Sequence, residues 1–252
     1  MAKHYKKIKM KKIIIIVLFI IIIISSLIII IERVITDSTA NKQVKEISDV
    51  FENMAEENND RCLEIAKLRK EWPEVVGWLD ISGTKINYPV CQTKDNEYYL
   101  NHTYKNEKNK NGSLFLDMRD SINEQEQNLL IYGHRNKYGL MFEDLIKYED
   151  MEFWKENPII RFTTESTDEK YMIFLVVKTK VYYQDETDIF KYYNFAKIRN
   201  KDEYDKYIEG MKKISLYFTN IEANYGEQLI TLSTCEYSQE NGRFVVVAKK
   251  IN

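Results

Sequence analysis

The chain is poor in glycine, proline and cysteine. It has 8 glycines and 3 prolines in 252 residues, against 18 tyrosines, so the globular part should be ordered rather than a flexible stalk. Its 3 cysteines are an odd number, which excludes a framework in which every thiol is paired. Acidic and basic residues nearly cancel, with a net charge of −2. That balance gives no electrostatic reason to expect nucleic-acid binding.

One long apolar run stands near the N-terminus. Residues 13–31 read IIIIVLFIIIIISSLIIII and carry no charge. At about 1.5 Å per residue, a helix of this length nearly spans a hydrocarbon core of about 30 Å. The hydroxyls of Ser25 and Ser26 can bond back to helix carbonyls. The segment before the run carries six lysines, Lys3, Lys6, Lys7, Lys9, Lys11 and Lys12. The positive-inside rule then predicts a single-pass protein of the cell membrane, with a cytoplasmic N-terminus and an extracytoplasmic remainder.

A cleaved signal peptide is the alternative for this run. Signal peptides have a shorter apolar region of about 7–15 residues, followed by a small-residue cleavage site. The run here is longer, and the IERVITDSTA that follows has no good A-x-A site. We therefore expect an uncleaved anchor.

The remainder predicts a helical segment followed by a β-rich domain. Val44, Ile47, Val50 and Phe51 recur at helical spacing within about 34–69. After Trp72 come short runs rich in β-branched and aromatic residues, separated by polar turns, which favour a β-barrel or sandwich. Two helical interruptions are expected, at about 140–148 and 188–218. The predicted organisation is a cytoplasmic basic tail (1–12), a transmembrane helix (13–31), a helical lead-in (32–71) and an extracytoplasmic domain (72–252).

The three cysteines differ in their surroundings. Cys62 lies in a plausible amphipathic helix, where we expect a small buried or half-buried apolar residue. Cys91 lies in the strand-like INYPVCQ and is expected to be a packing residue, and a disulfide between the two is possible. Cys235 ends the strand QLITLSTC, and Arg243 opens the next strand after a short polar loop. Residues that flank such a loop lie about 5 Å apart across an antiparallel pair. A guanidinium there could favour the thiolate and stabilise an oxyanion.

Of the three histidines, one is a candidate for catalysis. His4 is cytoplasmic by the topology argument, and His102 sits in a polar loop where we expect a solvated side chain. His134 follows the apolar strand NLLIY in the turn YGHR, at a strand end beside a small glycine. A strand-end thiol, imidazole and guanidinium together point to nucleophilic catalysis.

These residues resemble the sortases. The stretch TLSTC with the downstream Arg243 resembles the active-site strand pair of class B sortases, and GSLFLDMR and NLLIYGHR resemble the family's histidine region. The resemblance covers roughly residues 72–252 and implies an eight-stranded β-barrel with added helices and a long helix before the last two strands. It implies His134, Cys235 and Arg243 as the catalytic residues. Weaker candidates for shaping the substrate groove are Ser233, Thr234, Glu236 and Asn101. No cofactor and no metal are expected.

The implied activity is acyl transfer in the envelope of a Gram-positive bacterium. A cell-wall sorting signal of an exported protein would be cleaved through a thioacyl-enzyme at Cys235. The protein would then pass to an amino group of peptidoglycan or its lipid-linked precursor. Two alternatives stay open: a cysteine peptidase that releases the product to water, and a surface binding module with an inert thiol. Papain-like peptidases place cysteine before histidine, which is the opposite order.

Overall fold

The computed structural model describes residues 2–58, 60–123, 126–135, 139–183, 185–235, 237–238 and 240–251. The helices are α1 (Ala2–Asn58), α2 (Arg61–Glu71), α3 (Met151–Glu156) and α4 (Lys201–Lys213). The strands are β1 (Val75–Ile81), β2 (Asn87–Cys91), β3 (Leu114–Leu116), β4 (Asn128–Tyr132), β5 (Ile159–Thr163), β6 (Asp168–Lys180), β7 (Leu229–Cys235) and β8 (Gly242–Ile251). Short 3-10 helices cover Tyr98–Leu100, Glu143–Glu149 and Tyr192–Phe195.

The chain divides into two compact units, and the first ends at Gln43. Among the described residues, one helical segment, Lys11–Glu32, is long and apolar enough to cross a membrane. The hydroxyls of Ser25 and Ser26 donate to the carbonyl of Ile22 at 2.9 and 2.8 Å, as the sequence predicted. This back-bonding satisfies both hydroxyls within the helix.

The second unit, from Val44 onward, contains a closed barrel. The strand order around it is β1-β2-β3-β4-β7-β8-β6-β5. Neighbouring strands are antiparallel except for β2 with β3 and β4 with β7, which are parallel. The prediction of an eight-stranded barrel is confirmed. The parallel β4–β7 pair brings the ends of these two strands together, because parallel strands end at the same edge of a sheet.

The final strand β8 is buried on both faces. Phe244 and Val246 belong to one cluster with the interior residues of the barrel. Val245 and Val247 belong to a second cluster that includes Tyr207 of α4. Alternation of side chains along a strand places the two sets on opposite faces, and the cover from α4 explains the unbroken apolar run FVVVA.

The helices before the barrel pack directly on it within the second unit. The ring of Phe51 in α1 stacks on Trp78 of β1, with centroids 4.0 Å apart. Arg61, the first residue of α2, pairs with Glu52 at 2.6 Å and with Asp80 at 3.0 Å. The stacked rings and the paired arginine hold the end of the helical lead-in against the barrel wall.

The helical insert before the last two strands is shorter than predicted. The sequence suggested helix over about 188–218, but α4 ends at Lys213 and a separate 3-10 helix precedes it. The side chain of Asn200 accepts a backbone N–H of the first turn and so sets where α4 begins. Beyond α4, the backbone N–H of Leu216 donates to the carbonyl of Val176 at 2.8 Å. Leu216, which the sequence pattern places on the face of a helix, is therefore bonded through its backbone to β6.

Candidate active site

The candidate site lies where three strands meet at one end of the barrel. Tyr132 in β4 is aligned with Ser233 in β7, and the backbone N–H of Gly133 donates to the carbonyl of Ser233 at 3.2 Å. The residue after Gly133, His134, therefore leaves the sheet at the edge where Cys235 ends β7. Across the β7–β8 pair, Cys235 is the register partner of Arg243. The fold thus brings together side chains that are far apart in sequence.

His134, Cys235 and Arg243 all line one pocket of about 340 Å³. Each of the three is half-buried, so a peptide can reach them while part of the bulk water is excluded. The Arg243 guanidinium is held by its Nη1, which donates to the carbonyl of Gly242 at 2.9 Å. A thiol, an imidazole and a guanidinium on one pocket can supply a nucleophile, a proton carrier and an oxyanion donor.

A backbone carbonyl sets the tautomer of His134. Its Nε2 lies 2.6 Å from the carbonyl oxygen of Leu100. Because a carbonyl oxygen can only accept, Nε2 carries the hydrogen, and Nδ1 is left to exchange a proton. The glycine before the histidine is required by space: a Cβ at Gly133 would lie 2.4 Å from Leu114 Cδ2 and 2.7 Å from Phe142 Cδ2.

The other two cysteines are poor nucleophiles. All three cysteines are free thiols, so Cys62 and Cys91 do not pair. Cys91 is fully buried, and burial raises the pKa of its thiol. The pKa of Cys62 is also raised, first by partial burial and then by the nearby carboxylates of Asp168 and Asp60. A raised pKa reduces the thiolate fraction, which is the reactive form.

Two of the weaker sequence candidates lie in the pocket wall. Ser233 and Thr234 line the pocket and are buried. The Ser233 hydroxyl is hydrogen-bonded to that of Tyr192 at 2.6 Å. The Thr234 Oγ1 has no hydrogen-bond partner among the described residues. Glu236 lies outside the described residues, so its role in the groove stays a prediction.

The predictions for the β2–β3 connection were less successful. Asn101 is exposed and is not among the described residues that line the pocket. His102 is half-buried rather than solvated: its ring stacks on Tyr98 with centroids 4.0 Å apart, and its Nδ1 lies 2.8 Å from the Tyr98 carbonyl oxygen. The polar side chain that this connection does supply to the pocket is that of Asn96.

Several further residues of the pocket wall carry no prediction from the sequence. They are Asn96, Leu100, Phe115, Arg119, Tyr132, Val181, Tyr192 and Tyr193. Phe115, Arg119 and Tyr132 lie inside the motifs GSLFLDMR and NLLIYGHR, so attention to those motifs could have found them. No sequence motif pointed to Tyr192 and Tyr193, because only tertiary packing brings these two side chains to the pocket. Among the described residues, no group of three or more His, Cys, Asp or Glu is arranged to hold a metal ion.

Comparison with known proteins agrees with this geometry. The sequence model of the family described as Sortase domain matches residues 79–251. Sortase B of Listeria monocytogenes is 37% identical over 201 residues, which cover 79% of this chain and 77% of the relative. Sortase B of Staphylococcus aureus is 29% identical over 224 residues and 88% of each chain. The solved Staphylococcus aureus sortase B–substrate complex gives a TM-score of 0.76 at 27% identity, over 86% of this chain and 98% of that chain. The chain therefore belongs to the sortase family, as a cysteine transpeptidase of class B.

Proposed function

We propose that this transpeptidase is anchored in the cell membrane and cleaves the C-terminal sorting signal of exported proteins. It would transfer them to an amino group of peptidoglycan or its lipid-linked precursor. The observation that carries the proposal is that Cys235, His134 and Arg243 line one pocket. A relative, sortase B of Staphylococcus aureus, has been solved as a substrate complex, which supports the binding of a peptide substrate by this chain.

Cys235 is the proposed nucleophile. Its thiolate attacks the carbonyl carbon of the signal's threonine, and a tetrahedral oxyanion forms. Arg243, opposite Cys235 in the β7–β8 register, is the proposed donor to that oxyanion. An oxyanion donor of this kind contributes a factor of about 10²–10³ to the rate.

His134 is the proposed proton carrier. As the tetrahedral species collapses, the C–N bond breaks and the imidazolium protonates the leaving amine, which leaves a thioester on Cys235. An incoming amine then attacks the thioester and gives its proton to the imidazole, and the C–S bond breaks to release the amide and the Cys235 thiolate. Because Nε2 is engaged by the carbonyl of Leu100, Nδ1 is the nitrogen proposed to exchange both protons.

The N-terminal helix is the proposed anchor. Residues 1–12 would form a cytoplasmic tail, 13–31 the membrane span, 32–71 a lead-in and 72–252 the extracytoplasmic catalytic domain. The lysines before the span favour this orientation. An anchored enzyme would encounter both secreted proteins and lipid-linked precursors at the extracytoplasmic face of the cell membrane.

Mass spectrometry tests the proposal. The enzyme is incubated with a library of sorting peptides, and the acyl fragment that stays on the protein is mapped. We expect a thioester on Cys235, no capture by Cys235→Ala and full capture by the matched control Cys62→Ala. Adding an amine should convert the adduct to an amide. Capture by Cys235→Ala would contradict the proposal, and release of only the free acid in the presence of amine would favour a hydrolytic peptidase.

A further inference from the structure

Behind the pocket wall lies a carboxylate that the chemistry above does not use. Asp117 follows β3 and is fully buried. Its Oδ1 accepts from the backbone N–H of Arg119 at 2.9 Å and from that residue's Nε at 2.8 Å. Its Oδ2 accepts from Arg119 Nη2 at 2.7 Å, Asn96 Nδ2 at 3.0 Å and the Tyr132 hydroxyl at 3.0 Å. Burial alone raises the pKa of Asp117, but the hydrogen bonds and charge of Arg119 outweigh burial and hold it below its ordinary value.

The three donors share one property: Asn96, Arg119 and Tyr132 all line the pocket that holds Cys235. They come from different parts of the fold, namely the β2–β3 connection, the segment after β3, and β4. A buried charge that only balanced Arg119 would need no contact with the other two. The carboxylate therefore joins three segments at the point where each contributes to the pocket.

The Asp117 carboxylate also determines which hydrogen-bond donors and acceptors its neighbours present to a ligand. Since Asp117 can only accept, it turns the Nδ2 of Asn96 towards itself, and Asn96 Oδ1 takes the backbone N–H of Met118 at 2.8 Å. The hydroxyl hydrogen of Tyr132 points to Asp117, which leaves the lone pairs of that oxygen to accept. Arg119 Nη2 also donates to the carbonyl of Tyr193 at 2.7 Å and so joins the insert before α4 to the same network.

We propose that Asp117 is a positioning residue of the active site, whose buried carboxylate orients Asn96, Arg119 and Tyr132 into a wall that binds the amide groups of the substrate peptide. The wall offers N–H donors from Asn96 and Arg119 and an acceptor oxygen from Tyr132, which is the complement of a peptide or carboxamide group. This inference rests on the proposed function, because it assigns the wall to the same peptide that Cys235 attacks. Asp117 acts through the wall and does not touch the reacting atoms.

The test is the substitution Asp117→Asn, which keeps the size of the side chain but removes its charge and one acceptor oxygen. We expect the KM for the sorting peptide to rise about 10- to 100-fold, the range for losing hydrogen bonds to a charged group. The kcat should stay within about threefold, since the chemical groups are untouched. Alkylation of Cys235 by a small thiol reagent should keep its rate, because such a reagent does not use the wall.

The control variant is Asp168→Asn, which removes a carboxylate paired with an arginine outside the pocket. It shows whether the loss of any such ion pair is enough to change KM. Asp168 accepts from Arg161 Nε at 2.8 Å and is not among the described residues that line the pocket. Asp168→Asn should leave KM unchanged. If Asp117→Asn fails to fold, Tyr132→Phe removes the acceptor oxygen of the wall and Arg119→Gln removes one of its donors, and each should still raise KM.

The outcomes distinguish this inference from the proposed function. If the wild-type enzyme forms no thioester with any sorting peptide, the proposed function fails. If the wild type turns over normally but Asp117→Asn leaves KM unchanged, the positioning role is wrong. The role is equally wrong if Asp117→Asn fails to fold and neither Tyr132→Phe nor Arg119→Gln raises KM.

Discussion

The hydrogen bond between Tyr192 and Ser233 allows a quantitative test of how the insert is held beside the nucleophile. The two hydroxyl oxygens are 2.6 Å apart, and both side chains are buried, with 2% and 1% exposure. Burial raises the pKa of Tyr192 to about 12, so its hydroxyl stays protonated at working pH. Ser233 lies two residues before Cys235 in β7, so the bond ties the segment before α4 to the strand that carries the thiol.

The perturbations are Tyr192→Phe, Ser233→Ala and the double variant. Each single change leaves the other hydroxyl buried without its partner, so the free energy of unfolding should fall by about 1–3 kcal/mol. The double variant removes both hydroxyls together and should lose about as much as the larger single change. The expected coupling energy therefore equals the smaller single change, about 1–3 kcal/mol.

Equilibrium urea unfolding of the four proteins measures these values. The matched control is Tyr193→Phe, because the Tyr193 hydroxyl contacts the backbone of Tyr182 rather than Ser233. Its effect should add to that of Ser233→Ala without coupling. Strict additivity between Tyr192→Phe and Ser233→Ala would refute the claim that this bond links the two segments.

Three further predictions concern the surroundings of the site. Gly133→Ala places a Cβ 2.7 Å from Phe142, and this overpacking should lower the free energy of unfolding by about 1–3 kcal/mol in urea titrations; an unchanged midpoint would contradict it. Tyr237→Phe removes a hydroxyl that donates to the carbonyl of Arg135 at 2.6 Å, between the turns after Cys235 and His134. Turnover assays should show kcat falling about three- to tenfold, while stability changes by less than about 1 kcal/mol; an equal kcat would show that the contact does not position the site. Burial raises the pKa of Asp120 from 3.8 to about 8, so the folded state holds a proton that the unfolded state releases, and stability should fall as pH rises from about 4 to about 8. Asp120→Asn should flatten that fall in urea midpoints at pH 5 and 8.5, and an unaltered slope would refute the assignment.

Local sequence patterns predicted the strands of the barrel but not the limits of the helical insert. The alternating and β-branched runs predicted the strands because side chains along a strand repeat every two residues. Two strands joined by a short loop predicted that Cys235 and Arg243 lie opposite each other. In the β7–β8 register the two residues are direct partners. The helix of the insert is shorter than the sequence predicts, because Leu216 has helical spacing in the sequence but its backbone N–H donates to β6.

The details of the pocket could not be predicted in the same way. The sequence suggests Asn101 for the groove, whereas Asn96 of the same connection lines the pocket, because the path of a loop depends on what it packs against. The carbonyl that orients His134 belongs to Leu100, and no residue type encodes a backbone acceptor. These contacts join segments that are distant along the chain.

The sequence alone determined the apolar segment, the strand pattern and the positions of the thiol, imidazole and guanidinium, since each depends on residue type and local periodicity. Only the tertiary structure decided which side chains surround Cys235, and that the buried Asp117 faces three of them. The physical reason is that a closed barrel brings loops together by packing, and hydrogen bonds between them form only once the strands are in register.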